Sequence, residues 1–353
     1  MDLAENSNLS LTDFQTDDLK DASLLTVVAL CCVLSMLGSL LIIFSYVFIT
    51  EIRTTSRAIL VHLSIADFGV ACANFIGATV YFHGYLKLNN CEQMPDNSMC
   101  FVINGFCTAQ AFFAGYFTLA SVLWTLGLAV YIYTLVATVY STLPIHVARF
   151  LFFFCWGMPL FIAIWLLQTD RLGYSPHGGA GWCSLKFASE RQEEQIFVVV
   201  FGNDLWIYTA FFMITILYLS SHYHILRTIK LVGAMHLNES SMSAILRAEQ
   251  KFLVIPFAFL LLRIGSVMVV AVYVYLGEQP SKRYSTALHY IAGIGDSGQG
   301  VVNAVLFCLF TQKVRRKLYN CGLKQLISRI TRKREDSCIQ DPISLSGPSC
   351  KTV

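Results

Sequence analysis

Four ionisable residues lie inside long apolar runs of the sequence, where charged side chains are rare. Arg263 interrupts FAFLLLRIGSVMVVAVYVYL, and Asp67, Asp204 and Asp296 interrupt three other runs. An arginine at the centre of a bilayer costs about 2.5–3.5 kcal/mol on insertion scales. Such groups almost always turn toward the interior of a helical bundle and pair with one another. We therefore expect these four side chains to face each other, away from lipid.

Small and polar residues recur at helical spacing around two of the acids. Asn74 follows Asp67 in this way, and Gln299 and Asn303 follow Asp296. A spacing of three or four residues places side chains on one face of a helix. A third stripe consists of Gln110, Ala114, Phe117 and Ser121. The stripes predict an inner cavity or a hydrogen-bonded seam between helices.

Arg263 is expected to pair with one of the acids. The depth of each residue within its run leaves two partners open, Asp296 and Asp204. Breaking a buried ion pair costs about 3–5 kcal/mol, because the remaining charge is left uncompensated. Two roles also stay open: a purely structural polar seam, and a site that binds a ligand or switches conformation.

The elements that must position these residues are seven apolar runs. A helix needs about 20 mostly apolar residues to cross a bilayer. The predicted spans one to seven are 24–49, 58–83, 102–135, 147–167, 195–220, 252–276 and 286–310. The runs are too long for barrel strands and lack their alternation. The predicted fold class is an all-α membrane protein, a bundle of seven transmembrane helices.

The distribution of charge predicts the orientation of this bundle. Cytoplasmic segments of membrane proteins carry an excess of Lys and Arg. If the N-terminus is outside, the inner segments carry 17 Lys or Arg and 6 acids, whereas the outer segments carry 7 and 13. We expect a multi-pass protein of the plasma membrane with its N-terminus outside and its C-terminus in the cytoplasm.

The sequence predicts four regions along the chain. Residues 1–23 form a short extracellular N-terminus that lacks the basic and apolar regions of a cleaved signal peptide. The bundle occupies residues 24–310. Residues 311–330 are predicted as a short amphipathic helix whose basic side meets anionic lipid headgroups. Residues 331–353 are expected to form a flexible cytoplasmic tail.

Composition excludes several classes of protein. Hydrophobic residues make up 56% of the chain and charged residues 13%, with a mean hydropathy of +0.59. Soluble domains carry roughly 25% charged residues, so a membrane protein is indicated. The net charge of +3 makes nucleic acid a poor candidate partner. No nucleophile elbow, phosphate loop or kinase signature occurs, and we expect neither an enzyme nor a cofactor.

Four of the twelve cysteines fall outside the membrane or at the outer ends of spans: Cys91, Cys100, Cys107 and Cys183. Disulfides form in that oxidising compartment. Position favours a bridge between Cys107 and Cys183, which would pin the loop after span four over the bundle. Cys91 and Cys100 are candidates for a second, smaller bridge. The alternative is that some of these are free thiols.

Two covalent modifications are expected, one on each side of the membrane. Asn8 begins the sequence NLS, a glycosylation sequon on the outer side. Cys321 lies in the basic stretch after span seven and is a candidate acylation site.

Two prolines lie inside predicted spans, Pro159 in span four and Pro256 in span six. Proline removes a helical hydrogen bond and clashes with the preceding turn, so it bends a helix. A bent span six beside the basic inner loop would serve as a moving lever.

Several stretches resemble seven-helix G-protein-coupled receptors. LSIAD, residues 63–67, is similar to their span-two motif. CWGMP (155–159), GWC (181–183) and QGVVNAVLF (299–307) resemble the secretin/adhesion receptors and the slime-mould cyclic-AMP receptors. The resemblance covers roughly residues 24–318. It implies that Cys107 and Cys183 form the receptor disulfide, and that an unknown extracellular ligand signals to a heterotrimeric G protein.

The chain also departs from patterns of the wider superfamily. Span three ends in YIYTLVATVY without Asp-Arg-Tyr, and span seven lacks Asn-Pro-x-x-Tyr. The rhodopsin-class switch therefore does not transfer to these residues. Only about 23 residues precede span one, which favours a small-molecule ligand over a peptide hormone.

Two other functions fit a seven-helix membrane protein. A transporter usually shows internal repeats or broken helices, and the sequence shows neither clearly. A zinc-dependent membrane hydrolase would need converging ligands. His62, Asp67 and His289 lie in spans, but the spacing of a metal site is absent.

Epitope tags at the two termini test the predicted topology. An antibody is expected to bind an N-terminal tag on intact cells and a C-terminal tag only after permeabilisation, because an odd number of crossings separates the termini. Access to both tags from one face of intact cells would contradict seven crossings.

Overall fold

The computed structural model describes residues 2–82, 97–137, 145–173, 183–186, 192–234, 254–272, 282–311, 314 and 316. Only the backbone is described for residues 2–22, 81–82, 97–104, 145, 192–193, 195, 228–234, 270, 282–286 and 309–310. The helices in these ranges are α1 (Asp2–Phe48), α2 (Thr55–Phe82), α3 (Asn97–Ala137), α4 (Ile145–Gln168), α5 (Gln192–Val199), α6 (Leu205–Ala234), α7 (Val254–Val270), α8 (Lys282–Ser297) and α9 (Gln299–Phe310). A 3-10 turn, Thr50–Ile52, follows α1, and a π-helical turn, Val200–Asp204, joins α5 to α6. The chain divides into two units, residues 1–310 and 311–353.

Within the described ranges, five helical segments are long and apolar enough to cross a membrane. They are Ser23–Phe48, Thr55–Val80, Gly105–Ala137, His146–Gln168 and Ile196–Arg227, and they overlap predicted spans one to five. α1 begins well before its apolar part, at Asp2, and so includes the residues predicted as a short extracellular N-terminus. No proline or glycine occurs before Gly38 to stop the helix there.

The helices corresponding to spans six and seven are shorter than predicted within the described residues. α7 contains 17 residues, about 26 Å of helix, against a hydrocarbon core of about 30 Å. Span seven is divided into α8 and α9 at Gly298. Across this bend the Gly298 amide still donates to the carbonyl of Ile294 (2.8 Å), and the Val302 amide donates to the carbonyl of Gly298 (3.2 Å). The count of seven crossings therefore stays a prediction.

The helices of residues 1–310 pack as a closed ring. α1 packs against α2, α2 against α3, and α3 against both α4 and α6. α6 then contacts α7, α7 packs against α8, and α9 returns to α1. α3 also touches α7 and both strands, so it has the most neighbours and lies toward the centre.

Contacts between the first and last helices show their relative direction. Near the start of α1, the Ser23 hydroxyl hydrogen-bonds the Tyr290 hydroxyl of α8. Further along α1, the hydroxyl of Ser35 accepts a hydrogen bond from the Gly300 amide of α9 (2.8 Å). Later residues of α1 thus meet later residues of the α8–α9 segment. The first and last helices of the ring run in the same direction.

Glycines allow two pairs of helices to approach closely. A Cβ on Gly300 would lie 2.5 Å from the hydroxyl oxygens of Ser35 and Ser39 on α1. A Cβ on Gly265 of α7 would lie 2.6 Å from the backbone nitrogen of Ala292 on α8. Both distances are shorter than real Cβ contacts, so only glycine fits at these positions. Backbone-to-backbone packing sets the positions of α7, α8 and α9.

A disulfide and a short sheet mark one end of the bundle, which we call the disulfide end. Cys107 in α3 is bonded to Cys183, with 5.4 Å between their Cα atoms, which confirms the predicted bridge. Strands β1 (Leu172–Gly173) and β2 (Ser184–Leu185) pair antiparallel beside it. The disulfide holds the chain after α4 against the start of α3. The side chains of Cys91 and Cys100 lie outside the described residues.

Alanine substitutions at glycines test this packing. Gly265→Ala and Gly300→Ala are expected to lower the thermal stability of the purified protein, because overpacking costs about 1–3 kcal/mol. Gly157→Ala is the control, because no atom lies within 4 Å of the Cβ that it would add. Equal melting temperatures for Gly300→Ala and Gly157→Ala would contradict the close approach of α9 to α1.

Candidate functional site

An ion pair joins α7 to α8 inside the bundle. Arg263 Nη1 donates to Asp296 Oδ1 at 2.8 Å, and the Ser266 hydroxyl donates to the same oxygen at 2.6 Å. The Arg263 side chain is 4% exposed and the Asp296 side chain 21%. Of the two acids that depth left open, the structure places Asp296 against Arg263. Charge-assisted hydrogen bonds of this kind are roughly twice as strong as neutral ones.

Arg263 has donors that the pair does not use. No described residue accepts a hydrogen bond from its Nε or its Nη2. The guanidinium carbon lies 5.6 Å from the centre of the Phe259 ring, one turn earlier on α7. A cation at this distance from an aromatic face gains some stabilisation. That contact leaves the two donor groups without acceptors among the described residues.

Asp67 joins three helices at a second point in the bundle. Its Oδ1 accepts from the Ser121 hydroxyl of α3 and its Oδ2 from the Asn303 amide of α9, both at 2.7 Å. All three residues are at most 2% exposed. Both carboxylate oxygens thus receive a donor, and each donor comes from a different helix. The Asp67 node, as we call these three residues, ties α2, α3 and α9 together.

Weaker polar contacts extend from this node toward the disulfide end. The Asn74 amide donates to the Ser297 hydroxyl (3.4 Å), and the Gln110 amide donates to the carbonyl of Ala73 (3.3 Å). Gln299, at the start of α9, is 3% exposed, and no described residue accepts from its Nε2. The predicted stripes of α2 and α9 therefore face into the bundle.

Asp204 lies at the end of the π-helical turn between α5 and α6. It is 3% exposed and its Oδ1 accepts from the Asn203 amide (3.0 Å). The Trp206 indole donates to the carbonyl of Phe201 (2.9 Å), which satisfies a carbonyl inside the turn. A π turn adds a residue to the helix and so changes which side chains face inward. This local geometry buries Asp204.

The remaining predicted site residues have mixed outcomes. Pro159 lies inside α4, and Pro256 is the third residue of the described part of α7. The side chain of Asn8 and all of Cys321 lie outside the described residues. Among the described residues, no group of three His, Cys, Asp or Glu side chains could hold a metal ion.

Sequence reasoning missed three serines that complete the polar core. Ser266 shares Asp296 with Arg263, Ser297 accepts from Asn74, and Ser35 accepts from the Gly300 amide. Ser266 follows Arg263 by three residues, so helical spacing placed it on the same face. For Ser35 and Ser297, composition gives no comparable signal, because serine is common in membrane helices.

This arrangement fits both roles left open by the sequence, a structural polar seam and a contact that changes between two states. Desolvated charges hold two groups of helices, α7 with α8 and α2 with α3 and α9. A bound molecule or a second helix arrangement that changes these partners would change the relative stability of two bundle states.

The sequence matches a known protein family over most of its length. The family model described as "7 transmembrane receptor (Secretin family)" matches residues 19–302. This range contains the Arg263–Asp296 pair, the disulfide, and Asp67 and Ser121 of the Asp67 node; it ends one residue before Asn303.

Relatives and a solved structure give the same indication. The chain is 27% identical over 303 residues to G-protein coupled receptor 157 of Rattus norvegicus, which covers 83% of this chain and 84% of that protein. It is 28% identical over 302 residues to G-protein coupled receptor 157 of Homo sapiens, covering 83% and 82%. Squid rhodopsin shares the fold, with a TM-score of 0.62, 15% identity and 93% coverage of each chain.

Two buried serines test the energetic weight of the Asp67 node. Ser121→Ala removes a donor to a buried carboxylate and is expected to destabilise the protein by about 1–3 kcal/mol. Ser64→Ala is the matched control, because Ser64 is also fully buried but donates only to the carbonyl of Leu60 in its own helix. Thermal unfolding of both purified variants measures the difference. Equal losses would show that the node adds nothing beyond local serine packing.

Proposed function

Because the chain belongs to the secretin family of seven-transmembrane receptors, we propose that it transmits an extracellular signal to a heterotrimeric G protein. The observation that carries the proposal is the match of the family model over residues 19–302, which include Asp67, Arg263 and Asp296. Relatives named G-protein coupled receptor 157 support the same assignment.

The proposed topology has seven crossings with the N-terminus outside the cell. The parallel direction of the first and last helices supports an odd number of crossings, because each crossing reverses the chain. Lys and Arg are in excess in the predicted inner segments, which include the C-terminal residues 311–353, and this supports a cytoplasmic C-terminus. The Cys107–Cys183 bridge agrees with a disulfide end that faces the outer, oxidising compartment. On this topology the protein resides in the plasma membrane.

The proposed switch centres on α7, which corresponds to span six. Its described contacts with α8 depend on one buried ion pair and on the close approach at Gly265. A ligand that binds one bundle state better shifts the population by its differential affinity, typically about 1–3 kcal/mol for coupled sites. Movement of α7 away from α3 would open the cytoplasmic end, where part of the G protein docks.

The proposed ligand is a small molecule that enters from the disulfide end. Asp296 is partly exposed whereas Arg263 is buried, so a ligand that reaches the pair would meet Asp296 first. Membrane lipids are the other expected partners, through the basic region after α9.

G-protein activation in cells tests this function directly. Cells co-express the wild-type chain and a sensor that reports dissociation of the G-protein heterotrimer, one sensor for each class of Gα subunit. The first measurements are made without any added ligand. At least one class is expected to respond in proportion to the amount of receptor at the cell surface. Arg263→Leu is expected to change that response, because it releases α7 from α8.

Gly157→Ala, at an exposed position on α4, serves as the control for expression and handling. The function would be contradicted if no Gα class responded to wild-type receptor at surface amounts for which known receptors respond. The α7 switch would be contradicted if Arg263→Leu, at matched surface amounts, signalled as Gly157→Ala does.

A further inference from the structure

The unused donors of Arg263 lie on one edge of its guanidinium group. Nη1 is occupied by Asp296, whereas Nε and Nη2 have no acceptor among the described residues. The Nε–H bond and one Nη2–H bond of arginine point in the same direction, in one plane. This edge is the one that binds two oxygens of a carboxylate side by side.

Burying the Nε and Nη2 edge of Arg263 costs free energy unless a hydrogen-bond acceptor binds it. Arg263 is 3% exposed, and leaving a buried donor without an acceptor costs about 1–3 kcal/mol, and more for a charged group. Gln299, one turn beyond Asp296 in sequence, adds another buried amide donor without a described acceptor. Both donor groups are thus buried, one on α7 and one at the start of α9.

The acid groups around Arg263 do not use this edge. Asp296 binds Nη1 through Oδ1, which also accepts from Ser266. Asp67 receives both of its described donors from Ser121 and Asn303. Asp204 accepts from its neighbour Asn203. The Asp296 side chain is 21% exposed, so this side of the pair has accessible surface, whereas Arg263 is buried.

From this geometry we propose that the ligand of the receptor carries a carboxylate, which binds the Nε and Nη2 edge of Arg263 while Gln299 donates to the same group. The inference rests on the proposed receptor function and specifies the chemical class of its ligand. The carboxylate completes the hydrogen bonding of Arg263, and Asp296 remains as the second partner of the same guanidinium. Because Arg263 belongs to α7 and Asp296 to α8, such a ligand would bias the contact between these helices.

Binding to the purified full-length protein tests the inference without any G protein. The probes are benzoate and octanoate at millimolar concentration, with benzamide and octanamide as matched neutral compounds, and the readout is the melting temperature. The carboxylates are expected to raise the melting temperature of the wild type in a saturable way. The amides are expected to have much smaller effects, because they carry no charge and only one acceptor oxygen.

Variants separate the binding edge from the charge. Arg263→Lys keeps the positive charge but loses the two-donor edge, and it is expected to weaken carboxylate binding about tenfold to a hundredfold. Asp296→Asn removes a competing negative charge and is expected to strengthen it. Arg171→Lys is the matched control, because Arg171 lies beside the strands and pairs with Glu194, and its binding should equal that of the wild type.

Opposite effects of the two variants cannot arise from general damage to the fold. If Arg263→Lys does not fold, the contrast between acid and amide in the wild type and the gain in Asp296→Asn decide the matter. The inference is overturned if carboxylates protect no better than amides, or if they protect Arg263→Lys as well as the wild type. Because no G protein is present, such a result leaves the signalling assay as an independent test of the proposed function.

Discussion

The cost of placing ionisable side chains in hydrocarbon is the constraint on which this structure depends. Lipid offers no hydrogen bonds, so a charge within the membrane must find a partner inside the protein. Arg263, Asp67 and Asp204 are each at most 3% exposed, and Asp296 is in direct contact with Arg263. Their contacts decide which faces of α2, α3, α7, α8 and α9 turn inward. The apolar residues on the opposite faces are then left for lipid.

Two features limit how the bundle can move. The Asp67 node uses both oxygens of its carboxylate and joins three helices, so its disruption would leave several polar groups unsatisfied. The α7–α8 contact uses one oxygen of Asp296 and leaves part of the guanidinium unused. Gly265 keeps the backbones of α7 and α8 close at the second of these contacts. The two contacts therefore differ in how completely their polar groups are paired.

Several features of the fold and of the polar core could be predicted from the sequence. Runs of apolar residues predicted the five long helices, and the positions of Cys107 and Cys183 favoured the bridge that the structure contains. Helical spacing placed Asp67, Asn74 and Asn303 on inward faces, where they are buried. These features follow from local periodicity and from the cost of polar groups in lipid, both of which can be read from one chain.

Other features depend on packing between helices and could not be read from the chain. Depth alone left Asp204 and Asp296 equal as partners of Arg263, because it contains no information on helix rotation. In the π turn that buries Asp204, a Cβ on Gly202 would lie 3.2 Å from the Leu166 side chain of α4, a contact between helices that the sequence does not indicate. The end of α8 at Ser297 likewise divides a segment that composition had placed in one span.

The most direct measurement of the central claim is a double-mutant cycle on the pair that joins α7 to α8. Thermal or chemical unfolding of the purified wild type, Arg263→Met, Asp296→Asn and the double variant gives the coupling energy between the two side chains. Each single change leaves a buried charge or its partner unmatched, so we predict a double variant less damaged than the sum, with a coupling of at least about 1 kcal/mol. Additive losses would show that the two residues do not depend on each other, which would contradict the account.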